Sequence, residues 1–411
     1  MSPALAPEAR DGVVRLDRHA AIAGIGQTSF AKDQGRTELD LACEAVLAAC
    51  TDAGLDPGAI DGVTSFHVEQ VDEVDLAQTL GFDRLRFMAR TPSGGGGAAS
   101  VVGLAALAVA SGAATAVVAF RARNRSKAAA YGADPNQGGR PWAKAGEELA
   151  GHQQWHHPFG VAAPAQEMAL LARRHMHVFG TRAEQFGMQA VAQRFHASRN
   201  PAAILRTPIT LDDWAVSRPI AEPIRLFDCS LEHDGAVAVL VTTRDRARDL
   251  RQPLVEVLAH GQCDGPIHVD LAQFFATTAF YGERVAGALA MAPHLFGVAG
   301  ITPSDVDTAM IFDHFTMAVP ISLEQYGFCD LGAGGAFVES GATRWPDGAL
   351  PVNTHGGSNG EAFVHGLNHV PEAVRQLRCS AVNQVDGARH AFVCGSITDP
   401  SGAILLRRGD G

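Results

Sequence analysis

The sequence predicts an α/β protein whose core is a duplicated unit, and three observations predict it. Strand-like apolar runs alternate with helically spaced ones, the pattern of a sheet with both faces covered. Residues 53–66 (AGLDPGAIDGVTSF) and 299–312 (AGITPSDVDTAMIF) share five of fourteen positions: Ala53/Ala299, Gly54/Gly300, Pro57/Pro303, Asp61/Asp307 and Phe66/Phe312. In each half a threonine and a glycine-rich loop, TPSGGGG at 91–97 and THGGSNG at 354–360, open a helix that a hydrophobic strand follows.

Residues 1–18 mix charge with proline and read as a loose tail without the apolar stretch of a signal peptide. A strand at Ala20–Gly26 leads into a helix at Leu39–Ala53, where Leu41, Ala42, Ala45, Val46 and Ala49 keep helical spacing. A strand at Val63–His67 follows, then a short helix and strand to Arg90. Residues 98–120 carry no charge and are long enough for a membrane span. Ser111-Gly112 divides them, so they read as a buried helix and a central strand, Ala116–Phe120. Residues 122–225 form an excursion of polar loops with helices at Pro164–Phe179 and Ala183–Ser198, the kind of segment that faces a substrate. The core resumes with the strand Asp234–Thr243. The first half therefore runs over 19–250, excursion included, and the second over 251–411. Each half is expected to supply a buried helix, beginning near Ala98 and near Gly360, packed between two sheets.

A net charge of −11 disfavours nucleic acid and anionic membrane as partners. The seven cysteines form no CxxC pair, which excludes a disulfide framework and a thiolate zinc site. His152, His156 and His157 have metal-like spacing, but the adjoining Pro and Gly favour a loop lining a pocket, and no metal is expected. Gly24–Gly26 lacks the third glycine of a dinucleotide fingerprint. Cys229 and Tyr326 read as packing residues.

Several stretches carry a family resemblance: AFRARNRS (119–126), HPFGVAAPAQ (157–166), SRPIAEPIRLFDCSLEHDGAVAVLVTT (217–243), FDHFT (312–316), LEQYGFC (323–329) and NTHGGSNGEAFVHGLNHVPEAVRQLR (353–378). With the duplication they resemble the thiolase superfamily, in its lipid-transfer-protein (sterol carrier protein x thiolase-like) branch, and within it the aldolases that shorten steroid side chains. Without a signal peptide or membrane span the chain reads as cytoplasmic; the resemblance implies a layered αβαβα core, a homodimer with Ala116–Phe120 contributing to the interface, and a small OB-fold partner that completes an acyl-CoA pocket. It implies no cofactor other than the coenzyme A of the substrate.

Thiolases place a nucleophilic cysteine at the start of the first buried helix, where the helix dipole favours a thiolate. The matching stretch here is Ser93, Gly94, Gly95, Gly96, Gly97, and Gly97 stands about where the nucleophile would be. Ser93 reads as a turn or cap residue. What remains is a glycine-rich nest of backbone donors, joined by Gly356 and Gly357 from the second half, able to hold a thioester enolate or simply to allow close packing. The related aldolases use tyrosine at two points that match Phe312 and Phe363. Phenylalanine has no proton to exchange, so those roles do not carry over. Asp313, His314, His355 and His365, in the same two motifs, are the candidates to replace them, with His314 and His365 also readable as supporting residues. Three functions stay open: an aldolase cleaving a bulky, steroid-derived β-hydroxyacyl-CoA to a ketone and a short acyl-CoA; a non-catalytic or regulatory subunit binding acyl-CoA; and a cysteine-independent acyltransferase or Claisen-type enzyme.

Overall fold

The computed structural model describes residues 9–10, 13–91, 95, 97–125, 157–161, 163–263, 287–397 and 400–410. Two short strands, β1 (Ala9–Arg10) and β2 (Val13–Arg15), precede β3 (Ala20–Gln27). Next come α1 (Glu38–Ala53), β4 (Gly62–Phe66), α2 (Glu73–Leu80), β5 (Phe87–Thr91), α3 (Gly97–Ala110) and β6 (Ala116–Arg123). The excursion contributes α4 (Pro164–Phe179), α5 (Ala183–Arg199) and the hairpin β7 (Pro219–Ala221) to β8 (Ile224–Arg225), and the chain returns in β9 (Gly235–Thr243). The second half runs through β10 (Val255–Cys263), α6 (Gly287–Ala299), β11 (Thr308–Ile311), α7 (Ala318–Gln325), α8 (His369–Leu377), β12 (His390–Cys394) and β13 (Ser401–Arg408).

The duplication is explicit in the strand order. The first half reads β5-β4-β6-β9-β3 and the second β11-β12-β13-β10, with a parallel bridge from Ala309 to Val352 standing for the missing outer strand. The repeat residues do the same work in both copies. Gly54 and Gly300 end α1 and α6 with φ of 74° and 72°, a left-handed turn that favours glycine. Pro57 and Pro303 open matching 3₁₀ turns. Asp61 accepts hydrogen bonds from the Thr115 and Ala116 amides at 2.8 and 2.9 Å, and Asp307 from the Arg389 and His390 amides at 2.7 and 2.8 Å.

Strand alternation sets the layers. Val237, Val239 and Val241 of β9 pack with α3, while Ala236, Ala238 and Leu240 face the opposite way against α1. In the second half Ile404 and Leu406 of β13 face α3 and α8, and Ala403 and Leu405 face α6. The result is helix, sheet, helix, sheet, helix, with the apolar α3 at the centre. Gly103 lets α3 close on His260 of β10, because a Cβ there would overlap the imidazole.

Four expectations need correction. The two expected sheets are joined into one of eleven strands among the described residues, through antiparallel pairing of Val255 with Ile22 and Glu256 with Ala21. Residues 13–18 are not a loose tail: β2 pairs with β10, and Val13 and Leu16 are fully buried. The surrounding charges hid those two apolar anchors. β6 is hydrogen-bonded on both sides, to β4 and β9, so it has no edge to offer a second subunit. The second-half helix starts not at Gly360 but at His369. Gly357–Gly360 make a single turn, and positive φ at His365 (50°) and Gly366 (81°) keeps the intervening chain irregular. No described helix is long and apolar enough to cross a membrane.

Candidate active site

The second-half motifs converge where β11 ends. Phe312 follows β11, and its ring stacks on Phe363 at 5.7 Å between centroids and on His314 at 5.0 Å. Glycines from two directions make room for it. A Cβ at Gly95 would overlap the Phe312 ring, and one at Gly366 would lie 2.7 Å from its Cδ2. Phe312, Phe363, His314 and Gly95 are therefore together, as the sequence predicts. Ser93, Gly94, Gly96, His152 and His156 lie outside the described residues.

Gly97 opens α3 against the side chains of Thr91 and Phe66, and a Cβ there would overlap the Thr91 hydroxyl. A side chain at Gly97 would therefore require Thr91 to move. The buried Cys394 is no substitute nucleophile, since burial pushes its thiol up to about 12. Cys229 behaves likewise, and Tyr326 packs edge-on against Phe392 at 4.7 Å.

Asp313 is buried and engaged on both oxygens. It accepts from the Ser358 amide at 2.8 Å, from Gln193 at 2.6 Å and from Asn359, and it pairs with His369 Nε2 at 3.1 Å. Burial works to raise its pKa, but the bonds from His369 and Ser358 outweigh it and hold the carboxyl below the usual range. Gly357 must be glycine because a Cβ there would overlap the same carboxylate, whereas Gly356 packs against Ala197 of α5. Asp313 therefore ties the 357–360 turn to the end of β11.

His355 stands behind this anchor, its Nε2 2.9 Å from His369 Nδ1. Burial, then the charges of His369 and Arg375, push its pKa well below 6.5. Beyond it Glu361 receives the Asn200 and Asn368 amides, each at 3.0 Å, and burial raises it to about 7.

The imidazoles nearer the rings are neutral as well. Burial takes His314 to about 4, and its Nε2 lies 3.3 Å from Met168 Sδ of α4, so the excursion roofs this side of the site. His233 accepts the Phe363 amide through Nε2, and burial takes it to about 4. His365 lies 5.1 Å from Phe363, and its Nδ1 accepts from Arg121 Nε at 3.0 Å. The Arg123 guanidinium covers Phe363 at 4.4 Å. Sequence reasoning missed His233, His369, Glu361 and the arginines. One signal was available: two arginines in the apolar strand β6, buried on all sides, need partners.

Comparison with known proteins places this geometry. Residues 271–405 match the thiolase C-terminal domain-like family. A 17-hydroxy-3-oxo-4-pregnene-20-carboxyl-CoA lyase from Mycobacterium tuberculosis is 41% identical over 395 residues, 95% of this chain and 100% of that protein. A steroid side-chain-cleaving aldolase from Thermomonospora curvata is 41% identical over 94% of this chain and 97% of its own length. The chain belongs to the steroid side-chain-cleaving aldolase family of the thiolase superfamily. A solved structure described as an Ltp2-ChsH2(DUF35) aldolase superposes with a TM-score of 0.86 at 39% identity, covering 96% of this chain and 100% of that one. Human mitochondrial 3-ketoacyl-CoA thiolase superposes at 0.63 with 16% identity, a likeness of fold alone. Against these relatives, the stacked phenylalanines and the closely packed Gly97 position are the two features that any account of an aldolase-family site in this chain must accommodate.

Proposed function

We propose that the chain is a carbon–carbon lyase of the retro-aldol type. Its substrate is a β-hydroxyacyl-CoA with a bulky, steroid-derived carbon skeleton, and its products are a ketone and a short acyl-CoA. In this reaction a base takes the β-hydroxyl proton, the electrons of the breaking C–C bond pass to the thioester as an enolate, and an acid returns a proton to the α-carbon. The observation that carries the reading is that Gly97, the position the resemblance matches to the thiolase nucleophile, has no side chain and packs closely on Thr91, while Phe312, Phe363, His314 and His365 stay assembled.

The backbone donors at the start of α3 and the Gly357 amide are the groups we assign to the enolate oxygen. His314, neutral and stacked on Phe312, is the group we assign to proton handling in place of the absent phenols, and His365, neutral and beside Phe363, is assigned as a hydrogen-bond donor to the reacting oxygen. Coenzyme A enters only as part of the substrate. We extend the reading to a cytoplasmic homodimer pairing through β5, whose outer edge has no partner strand among the described residues. The likeness to the Ltp2-ChsH2(DUF35) aldolase supports a small OB-fold partner at the acyl-CoA pocket.

A second reading rests on the same two rings: with phenylalanine at both positions, the chain would bind acyl-CoA as a non-catalytic subunit of a larger assembly. Mass spectrometry of the purified protein, with and without such a partner, incubated with β-hydroxyacyl-CoA and acyl-CoA thioesters, separates the two. A ketone and a shortened acyl-CoA are expected. Binding without cleavage supports the second reading, and acyl transfer to free coenzyme A overturns both.

A further inference from the structure

His365 is held in a way that the reaction assigned above does not by itself require. Its backbone is left-handed, φ 50°, an uncommon state for a residue with a side chain. Its Nδ1 accepts from Arg121 Nε at 3.0 Å. Arg121 in turn donates through Nη1 to Glu69 Oε2 at 2.8 Å, with both side chains buried. Glu69 is itself fixed by three backbone amides: Ala122 at 3.0 Å on one oxygen, and Gln70 and Val71 at 2.9 and 3.0 Å on the other. Glu69 follows β4 and Arg121 lies on β6, so two first-half residues reach across the duplication to one imidazole of the second half.

The protonation pattern follows from elementary chemistry. A guanidinium is always protonated and has no lone pair to offer, so the nitrogen facing it must accept. The single proton of the neutral ring then sits on Nε2. A second proton on Nδ1 would face Arg121 directly. Burial opposes a cationic imidazole, and so do the other charges around the ring: Arg123 from the same strand, His67 just after β4 and Arg125 two residues beyond β6. Nε2 has no hydrogen-bonded partner among the described residues, and Phe363 stands 5.1 Å away at a steep 69°.

We infer that Glu69 and Arg121 are positioning residues that lock His365 as a neutral Nε2–H donor toward the oxygen that gains negative charge as the carbon–carbon bond breaks. The inference rests on the retro-aldol reading for its substrate, but the lock itself is a property of the free protein. It makes the first half more than a scaffold, since it decides which nitrogen of a second-half residue carries the proton.

The test joins a spectroscopic and a kinetic readout on the full chain. In ¹⁵N-histidine-labelled protein, with the His365 signals assigned by their loss in His365→Gln, Nε2 should be protonated and Nδ1 bare from about pH 6 to 8. Arg121→Lys cannot serve Glu69 and His365 together, and the ring should become a mixture of tautomers. Glu69→Gln with Arg121→Met removes both buried charges, so no carboxylate is stranded, and should give the same mixture in a folded protein. In both variants kcat should fall by up to ~10²-fold with KM little changed, the pattern of a lost transition-state donor. A wild-type ring protonated on Nδ1 overturns the inference. So does a kcat that holds while the tautomer changes. If the wild type cleaves no thioester, the reaction assigned above fails separately, and the tautomer signal alone decides: its loss in Arg121→Lys supports the lock and its persistence refutes it.

Discussion

The two halves of the core share their frame and differ in one loop, and the difference shows where chemistry is kept in a duplicated fold. Asp61 and Asp307 accept the same pair of backbone amides, and Phe66 and Phe312 both end the second strand of their half. After the strand the copies part. In the first half the glycine loop passes straight into α3 at Gly97. In the second it makes one turn, Gly357–Gly360, and eight residues of irregular chain precede α8. Those eight hold Glu361, Phe363 and His365, and the first-half counterpart of Glu361 is Ala98. Regular structure satisfies its own backbone; the irregular stretch needs side chains to do so, and that need brings polar groups together.

The sharpest way to test this division is to restore the phenols. Phe312→Tyr with Phe363→Tyr should raise retro-aldol turnover by ~10²- to 10⁴-fold, the range for general acid–base groups, with the full gain only in the double variant. Steady-state kinetics on wild type, both singles and the double decide it. If wild type already turns over briskly and the tyrosines change nothing, His314 and His365 carry the chemistry. Phe66→Tyr, the first-half equivalent, should give no gain at all.

Asp313→Ala should break the comparison from the structural side. It removes the anchor of the 357–360 turn and strands Ser358 N, Gln193 and His369 in the interior, at a cost of roughly 3–5 kcal/mol. Urea denaturation measures it. The Asp313 pKa lies below its unfolded value, so this contribution is full above the ordinary carboxylate range and fades as pH falls through the folded pKa. No loss of stability in Asp313→Ala would mean that the turn holds itself.

Much of the frame is legible in the sequence, because buried strands and helices write their periodicity into apolar spacing. The ends of α1, α4 and α5 fall at or within a residue of their predicted places. The site is legible only in part. Phe312, His314, Phe363 and His365 stand in readable motifs, yet the contacts that decide their state span long stretches of chain, such as Arg121 to His365 and His233 to Phe363. Local pattern carries no trace of such pairs. The start of α8 was misplaced for a related reason: the second glycine loop has the composition of a helix start, and only tertiary contacts from Asp313 and Glu361 hold the next residues out of a helix.

Glu361 gives a pH signature that reports on the irregular second-half loop. Burial lifts its pKa to about 7, above the ordinary glutamate value of 4.5. A carboxyl raised in this way contributes stability below the unfolded pKa and loses it as pH rises through the folded one. Between pH ~4.5 and ~7 the loss should total roughly 3 kcal/mol. Glu361→Gln should flatten that slope. An amide accepts from only one of Asn200 and Asn368, so the variant should be somewhat less stable than wild type at pH 5 and comparable or better at pH 8. Parallel pH profiles for the two proteins would show that Glu361 stays ionised throughout.

The smallest effect is the most exacting test of the duplication. Asp61→Ala and Asp307→Ala each remove the acceptor of two backbone amides, one exposed and one part-buried, where water replaces part of the bond and a lost hydrogen bond costs ~0.5–1.5 kcal/mol. Because the geometry is the same in both copies, the two losses should agree to within a few tenths of that range, except for one asymmetry. Asp61 also accepts from the Thr115 hydroxyl at 3.0 Å and lies 3.7 Å from Arg86, contacts without a counterpart at Asp307 among the described residues. Both are partly exposed, where such interactions add ~0.5–1 kcal/mol at most. Asp61→Ala should therefore be the costlier by about that amount, and Thr115→Val should narrow the gap. Urea midpoints at matched slope read all three. Asp61 and Asp307 precede β4 and β11, and the stacked rings lie past the other end of β11, so kcat should hold in each variant. A loss at Asp307 that exceeds the loss at Asp61 would mean that the second-half frame carries strain from the irregular loop, and that frame and site are not independent.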